Sequence, residues 1–243
     1  SQSANYTNAT PFAETLFVRV EDNTSGTCFG VGPNVVLSVN PIPSFFLEED
    51  YIYCTGESVL VEPFAANGDY TYEWFNDEGQ LMGTATRIRI SKQGMYSVIA
   101  TSESGCVAER QSFQVTESGP PSLSPQFIQV EDDGETGTIT VNHQDGQLGI
   151  GEYVFALDDP NNVQQEGVFT NVTPGLHTLY AMDSNGCGMD EISVGVIGVS
   201  KFLTPNNDGI NDTVKILGVN TAFYEQGTFY VFDRYGRLLA QTN

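Results

Sequence analysis

Basic residues are scarce in this chain: 9 Lys and Arg stand against 31 Asp and Glu, for a formal charge of −22. That balance speaks against a nucleic-acid partner, because a phosphate-binding surface needs a basic patch. It speaks equally against direct adhesion to an anionic membrane. Histidine is nearly absent, with only His143 and His177, which leaves little scope for acid–base chemistry near neutral pH. No Gly-x-Ser-x-Gly, His-Glu-x-x-His or phosphate-loop pattern occurs. A glycosidase needs only two carboxylates, but the acids here are scattered and define no single cleft. The reading is therefore of a protein that is not an enzyme. There is no Cys-x-x-Cys spacing for a metal. No apolar run approaches the ~18 residues of a membrane helix. No basic n-region followed by an apolar stretch opens the chain. The first pattern met is a strand, Thr15-Leu16-Phe17-Val18-Arg19-Val20. The chain is expected to belong to a longer polypeptide whose export signal lies upstream.

What is present is turn chemistry and short apolar runs. Gly (25) and Pro (11) punctuate the sequence, and Tyr (11) and Phe (15) far outnumber the single Trp. Many short strands joined by turns are expected, in an all-β fold. At 40% hydrophobic residues there is ample material for a core. The negative charge keeps an exposed protein soluble and unassociated. It is unevenly placed: residues 1–198 hold the entire excess, whereas residues 199–243 balance to zero. That shift marks a boundary near Val199.

An internal repeat organises the first four-fifths. Phe17–Cys28, Tyr96–Cys106 and His177–Cys187 each read as an alternating strand, a small polar turn with Gly, and then Cys. An apolar strand follows each, at Val35–Val39, Phe113–Val115 and Ile192–Val196. The three cysteines lie roughly 80 residues apart, a period suited to a string of small β-sandwich modules. The repeated motif is then the hairpin of the last two strands, and Ser104-Gly105 and Asn185-Gly186 supply turn residues that tolerate positive φ. Pro-containing joints, Asn40-Pro41-Ile42-Pro43 and Ser118-Gly119-Pro120-Pro121, follow the first two hairpins. They stiffen the string into a semi-rigid rod. The division is a partial module at 1–43, modules at 44–119 and 120–198, and a distinct segment at 199–243.

The middle repeat is the most complete, with strands expected at Ser58–Val61, Tyr70–Phe75, Thr86–Ile90, Met95–Ala100 and Ser112–Val115. Tyr70, Tyr72 and Trp74 alternate and share one sheet face. The order Cys54…Trp74…Cys106 is that of an immunoglobulin-like domain, with the indole beside the bridge. Cys54 and Cys106 are expected to pair, stabilising by up to about 4 kcal/mol in the chain-entropy model. Cys28 and Cys187 have no evident mate. Cys28 is open to pairing upstream, and Cys187 to a free buried thiol or a partner elsewhere. A Cys28–Cys187 bridge would have to span a whole module.

The last segment carries two dense motifs. Thr204–Asp212 is an Asn/Asp/Gly/Pro turn between strands, and Asp233-Arg234-Tyr235-Gly236 is a tight turn between Thr228–Phe232 and Arg237–Ala240. The pair, in this order, resembles the type B C-terminal sorting domain of the Bacteroidetes type IX secretion system. The opening motif of that family matches at Phe202, Thr204, Pro205, Asn206, Asp208, Gly209, Asn211 and Asp212. Its second motif matches at Phe232, Asp233, Arg234, Tyr235 and Gly236. The resemblance covers about the last 45 residues. The upstream modules are similar to the Ig-like repeats of gliding-motility adhesins that carry such domains.

The resemblance implies tandem Ig-like β-sandwich modules followed by a partial β-sandwich sorting domain. It implies export across the inner membrane, recognition by the type IX outer-membrane translocon with an associated outer-membrane β-barrel partner, and residence at the cell surface or in the medium as an adhesin. The family usually continues into a Gly-Trp-Asp-Gly segment and closing strands, so the sorting domain is expected to be incomplete at Asn243. The alternative is the accessory C-terminal region of a large secreted hydrolase. No cofactor is expected. Calcium is the one ion weighed: an EF-hand pattern begun at Thr204 places Asn206, Asp208 and Gly209 correctly but ends on Lys215 rather than Glu. The acid runs Glu48-Glu49-Asp50, Glu131-Asp132-Asp133 and Asp158-Asp159 read as solvated loop surface.

Overall fold

The computed structural model describes residues 13–17, 19–21, 29–32, 34–38, 40–65, 68–132, 134–144, 146–223 and 228–242. Strands are the only regular elements among them apart from one 3-10 turn, Pro125–Phe127. The contacts divide the chain into two compact units, Ser1–Tyr51 with Val59–Val115, and Ile52–Ser58 with Thr116–Asn243. The fold is all-β, built of β-sandwich modules in tandem along the sequence.

The first unit opens on a hairpin. β1 (Ala13–Leu16) pairs with β4 (Val35–Ser38), and β2 (Arg19–Glu21) pairs with β3 (Phe29–Val31). The strands flanking the first repeated turn are thus present, while Val18 and the turn at 22–28, Cys28 included, lie outside the described residues. The strands that follow are β5 (Phe45–Phe46), β6 (Asp50–Cys54), β7 (Val59–Val61), β8 (Phe64–Ala65), β9 (Tyr70–Phe75), β10 (Leu81–Gly83), β11 (Ile88–Ile90), β12 (Gly94–Ser102) and β13 (Gln111–Ser118). One sheet runs β10-β9-β12-β13-β6, and β11-β7 and β5-β8 are two-stranded pairs. The last residues of β6 and β13 are grouped with the second unit. The expected middle-repeat strands correspond to β7, β9, β11, β12 and β13, with ends shifted by a few residues.

The core of this unit is aromatic. The alternation along β9 buries Tyr72 and Trp74 on one face. Trp74 is only 1% exposed and meets Phe113 edge-on at 6.1 Å, a favoured arrangement for ring quadrupoles. Its indole N–H donates to the Ala85 carbonyl at 2.8 Å, so the one polar atom of a buried ring has a partner. Tyr96 stacks on Phe113 at 5.8 Å and donates its hydroxyl to the Lys92 carbonyl at 2.7 Å.

The expected Cys54–Cys106 bridge does not form. Cys106 is a free thiol, and Cys54 is bonded to Cys187. The reason is geometric. Cys106 lies in the turn before β13, whereas the residue after Cys54, Thr55, donates its N–H to Ser118 at the other end of β13. An eight-residue strand separates those ends by roughly 23 Å at ~3.3 Å per residue. A disulfide tolerates at most about 7 Å between Cα atoms. The Trp74 ring is accordingly packed on aromatics, not on a bridge.

The second unit holds β14 (Ile128–Asp132), β15 (Gly137–Val141), β16 (Tyr153–Leu157), β17 (Val168–Val172), β18 (Gly175–Asp183) and β19 (Met189–Val196). They form two sheets, β14-β15-β17 and β16-β18-β19. Between them Ile139, Phe155, Leu179, Val194 and Val196 are fully enclosed. β15 shows the clean alternation of a strand with one buried face. Gly198–Val199 (β20) pairs with Ile216–Leu217 (β21), and Phe229–Phe232 (β22) pairs with Leu238–Thr242 (β23). The change in composition near Val199 is not a break in packing: Phe223 packs against the second unit's core, and the Asn220 side chain donates to the Ser193 carbonyl at 2.6 Å.

Candidate functional site

The two C-terminal turns fold on local hydrogen bonds. In the first, Asp212 is the hub. One carboxylate oxygen accepts the N–H groups of Asn206 (2.9 Å) and Asn207 (2.7 Å), and the other accepts that of Gly209 (2.7 Å). Asp208 accepts the Ile210 N–H at 2.8 Å on one oxygen and the Asn206 side-chain amide at 2.8 Å on the other. Thr204 closes the loop, donating its N–H to the Asn211 carbonyl at 2.8 Å and its hydroxyl to that of Ile210 at 3.1 Å. Asn207, Gly209 and Asn211 all have positive φ, at 62°, 84° and 55°. These are the residue types that adopt that region at least cost. The motif is thus a backbone prescription, with Asn or Gly where φ is positive and Asp where N–H groups converge.

Those N–H donors set the electrostatics. The Gly209 N–H, then that of Asn207, holds the Asp212 carboxyl below the ordinary range, and the Ile210 N–H followed by the Asn206 amide does the same for Asp208. A calcium ion in this loop would have to displace these donors, since it takes oxygen ligands. Among the described residues no group of three or more His, Cys, Asp or Glu is arranged to hold a metal.

The second turn repeats the device. Asp233 accepts the N–H groups of Tyr235 and Arg237, both at 2.9 Å, and Gly236 supplies φ of 78°. The Arg234 guanidinium lies over the Tyr235 ring at 4.7 Å. The two motifs stand on separate two-stranded sheets, β20-β21 and β22-β23. Their apolar members are presented, not buried: Phe202 is 73% exposed and Tyr235 is 78% exposed. Phe232, Leu203, Ile210, Leu238 and Leu239 are exposed as well. Pro205 is also exposed, at the entry to the first turn.

Elsewhere in the second unit, His177 is clamped between Asp158 (2.8 Å) and the Thr173 carbonyl (2.7 Å). Both ring nitrogens are engaged. Burial pushes the Asp158 carboxyl up, but the His177 contact and the Thr178 N–H outweigh it and leave the net direction downward. The feature that sequence reasoning missed is the staple at the end of the second repeat. Cys54 is joined to Cys187 with Cα atoms 5.2 Å apart. The local turns carry no signal for it: a side-chain oxygen acceptor precedes both the free and the bonded cysteine by four positions, Ser102 before Cys106 and Asp183 before Cys187.

No protein-family model matches the sequence, and no curated protein matches it significantly. Among solved structures, the chain is similar to the fibronectin(III)-like modules of Clostridium thermocellum CbhA (14% identity, TM-score 0.38, 63% of this chain and 94% of that one). It is also similar to the FN1–FN3 domains of chicken CNTN1 (11%, 0.36, 69% and 71%). A third likeness is to extracellular domains 3–5 of Drosophila OTK (12%, 0.32, 70% and 66%). The fold assignment rests on the strand pairing itself. No helix among the described residues is long and apolar enough to cross a membrane.

Proposed function

We propose that this chain is part of an exported cell-surface protein of the adhesin type. In this reading its β-sandwich repeats (44–119, 120–198 and the part at 1–43) serve as stalk or binding units, and residues 199–243 belong to a type B sorting domain. The translocon of the type IX system and an outer-membrane β-barrel component are the partners. The observation that carries the reading is the pair of Asp-centred turns at Thr204–Asp212 and Asp233–Gly236. Thr204, Asp208, Asp212 and Asp233 of the family motifs each close those turns with hydrogen bonds, while the apolar motif residues Phe202, Phe232 and Tyr235 face outward. Rigid turns that display aromatic side chains are suited to recognition, because little ordering entropy remains to be lost on binding. The balanced charge of this segment beside an acidic chain spares it the repulsion that the repeats would meet at an anionic surface.

The test is export of a fluorescent reporter fused to residue 199 onward, through the natural C-terminus, in a host with the type IX system. Export is expected, with loss on Asp212→Ala or on charge reversal at Arg234. Periplasmic retention that persists when the repeats are restored would overturn the assignment.

A further inference from the structure

β18 buries every second residue, and His177 lies on that buried face. Leu179 and Ala181 are fully enclosed there, and His177 stands one step nearer the end of the sandwich, with its side chain 11% exposed. The pleat forces this placement. The ring therefore caps the core at the pole where the chain turns from β17 into β18.

Its two nitrogens reach toward different sheets. Nδ1 lies 2.8 Å from Oδ2 of Asp158, directly after β16, and Nε2 lies 2.7 Å from the carbonyl of Thr173, directly after β17. β16 belongs to one sheet and β17 to the other. The carboxylate is fixed in place: Oδ1 accepts the Thr178 N–H at 3.0 Å, and the Asp158 N–H donates to the Thr178 carbonyl at 2.8 Å. A carboxylate and a carbonyl only accept. A neutral imidazole has one N–H, so it satisfies one of them and sets a lone pair against the other. The imidazolium satisfies both.

Asp158 is the ionisable group in contact with the ring. The loop after it carries Asp159, which accepts the Asn161 N–H at 2.9 Å, and Glu166. On β19, His177 pairs with Val194, whose neighbours Ser193 and Gly195 are uncharged, and Glu191 pairs with Tyr180. β15 and β17 carry no ionisable side chain. The end of the β14–β15 hairpin brings Asp132 and Glu135 to this pole, and Lys201 and Lys215 stand on the β20–β21 hairpin, whose Gly198 abuts Pro174. A cleft of about 450 Å³ opens beside the ring, lined by Asp158, Asn162 and Gln164 after β16 and by Phe169, Asn171 and Thr173 along β17.

We propose that His177 is a pH-operated latch at this pole of the second unit. With both nitrogens protonated it ties the Asp158 carboxylate to the Thr173 carbonyl and holds the cleft narrow. Loss of one proton to solvent through the cleft leaves the contact to the carboxylate, the stronger of the two because it is charge-assisted. The Thr173 carbonyl is freed, the β17–β18 turn moves off, and the cleft widens. The latch is thus shut on the acid side of the ring's titration and released as pH rises through it. Asp158 stays ionised across that window: burial pushes its carboxyl up, but the His177 contact and the Thr178 N–H outweigh it. The device does not depend on the route of export.

The test is an NMR titration of the nitrogen-labelled chain from about pH 5.5 to about pH 8.5, either side of the ordinary imidazole value of ~6.5. His143 is the other histidine, and His143→Gln assigns the ring signals. Expected are two ring N–H groups on His177 at the acid end and one at the alkaline end. The backbone amides of Asn171, Thr173 and Gly175 should shift with the same midpoint, while that of Ala181, deeper on β18, stays fixed. Asp158→Asn supplies an amide that donates to Nδ1, so a neutral ring closes both contacts. In that variant the alkaline movement of the turn should vanish. Turn amides that ignore the ring's titration, or that move as far in Asp158→Asn as in the parent chain, would overturn the latch. A His177 ring with a single N–H across the whole range would overturn it as well.

Discussion

The buried Ser118 hydroxyl donates to the buried Asp183 carboxylate at 2.7 Å. The other oxygen of Asp183 takes the N–H groups of Cys187 (3.0 Å) and Asn185 (3.2 Å), so this carboxylate organises the turn that presents the bridged cysteine. A Cβ on Gly151 would fall 2.6 Å from Asp183 and 2.9 Å from Ser118. Gly151→Ala is therefore expected to destabilise the second unit by about 1–3 kcal/mol, the usual cost of overpacking. Asp183→Ala leaves buried donors unpaired and should cost a similar amount. Ser102→Ala, at the half-buried counterpart in the middle repeat, removes one turn hydrogen bond and should cost about 1 kcal/mol, less than Asp183→Ala. Urea unfolding followed by circular dichroism measures all three.

The Cys54–Cys187 bridge closes a separation of 133 residues. In the chain-entropy model such a loop is worth about 3–5 kcal/mol. Cys187→Ser and Cys54→Ser should lower the denaturation midpoint equally, and neither should respond further to reductant. Cys106→Ser in the isolated chain should leave the midpoint unchanged. A larger loss from Cys106→Ser than from Cys187→Ser would contradict the pairing.

Trp74 is the sole tryptophan, so its fluorescence reports on the first unit alone. Phe113 contacts Trp74, Tyr96 and Tyr51. Phe113→Ala opens a cavity at that junction and should cost about 3–5 kcal/mol in the tryptophan-detected transition.

The Asp208 and Asp212 carboxyls are held below their ordinary values by backbone N–H donors. A carboxylate depressed in the folded state stabilises that state above its unfolded pKa, and the contribution is lost as pH falls through the folded value. The turn at Thr204–Asp212 should stay closed at neutral pH and loosen under acid, below the usual carboxylate range. Amide exchange at Asn207 and Gly209 should accelerate there after correction for intrinsic rates. Asp212→Asn should show fast exchange at every pH, because the amide retains only one acceptor oxygen for three donors.

Much of this was legible in the sequence. The alternation of Tyr70, Tyr72 and Trp74 marked β9 and its buried face, since a pleated strand forces period two. Gly105, Gly186, Gly209 and Gly236 marked turns, because positive φ is nearly free only for glycine. The Asn and Asp positions of the two C-terminal motifs were visible as turn formers, though not the convergence of three N–H groups on Asp212. The roles of Ser118, Asp183 and Gly151 were not legible, because each depends on which side chains meet across a joint.

The sequence by itself determined the local order: where strands run, which face of each is apolar, where the chain turns, and that one turn recurs with a cysteine at the same place. These follow from short-range sterics and periodicity, and they survive whatever the strands later pack against. Only the tertiary structure decided the pairing of cysteines. Cys54 and Cys106 lie in one repeat and bracket its tryptophan, yet β13 runs between the two ends and keeps them apart. Cys54 and Cys187 belong to different repeats, yet the turn geometry set by Asp183 brings them to bonding distance. Proximity through space depends on strand length and on which pole of a sandwich a turn occupies. Spacing along the chain does not encode that.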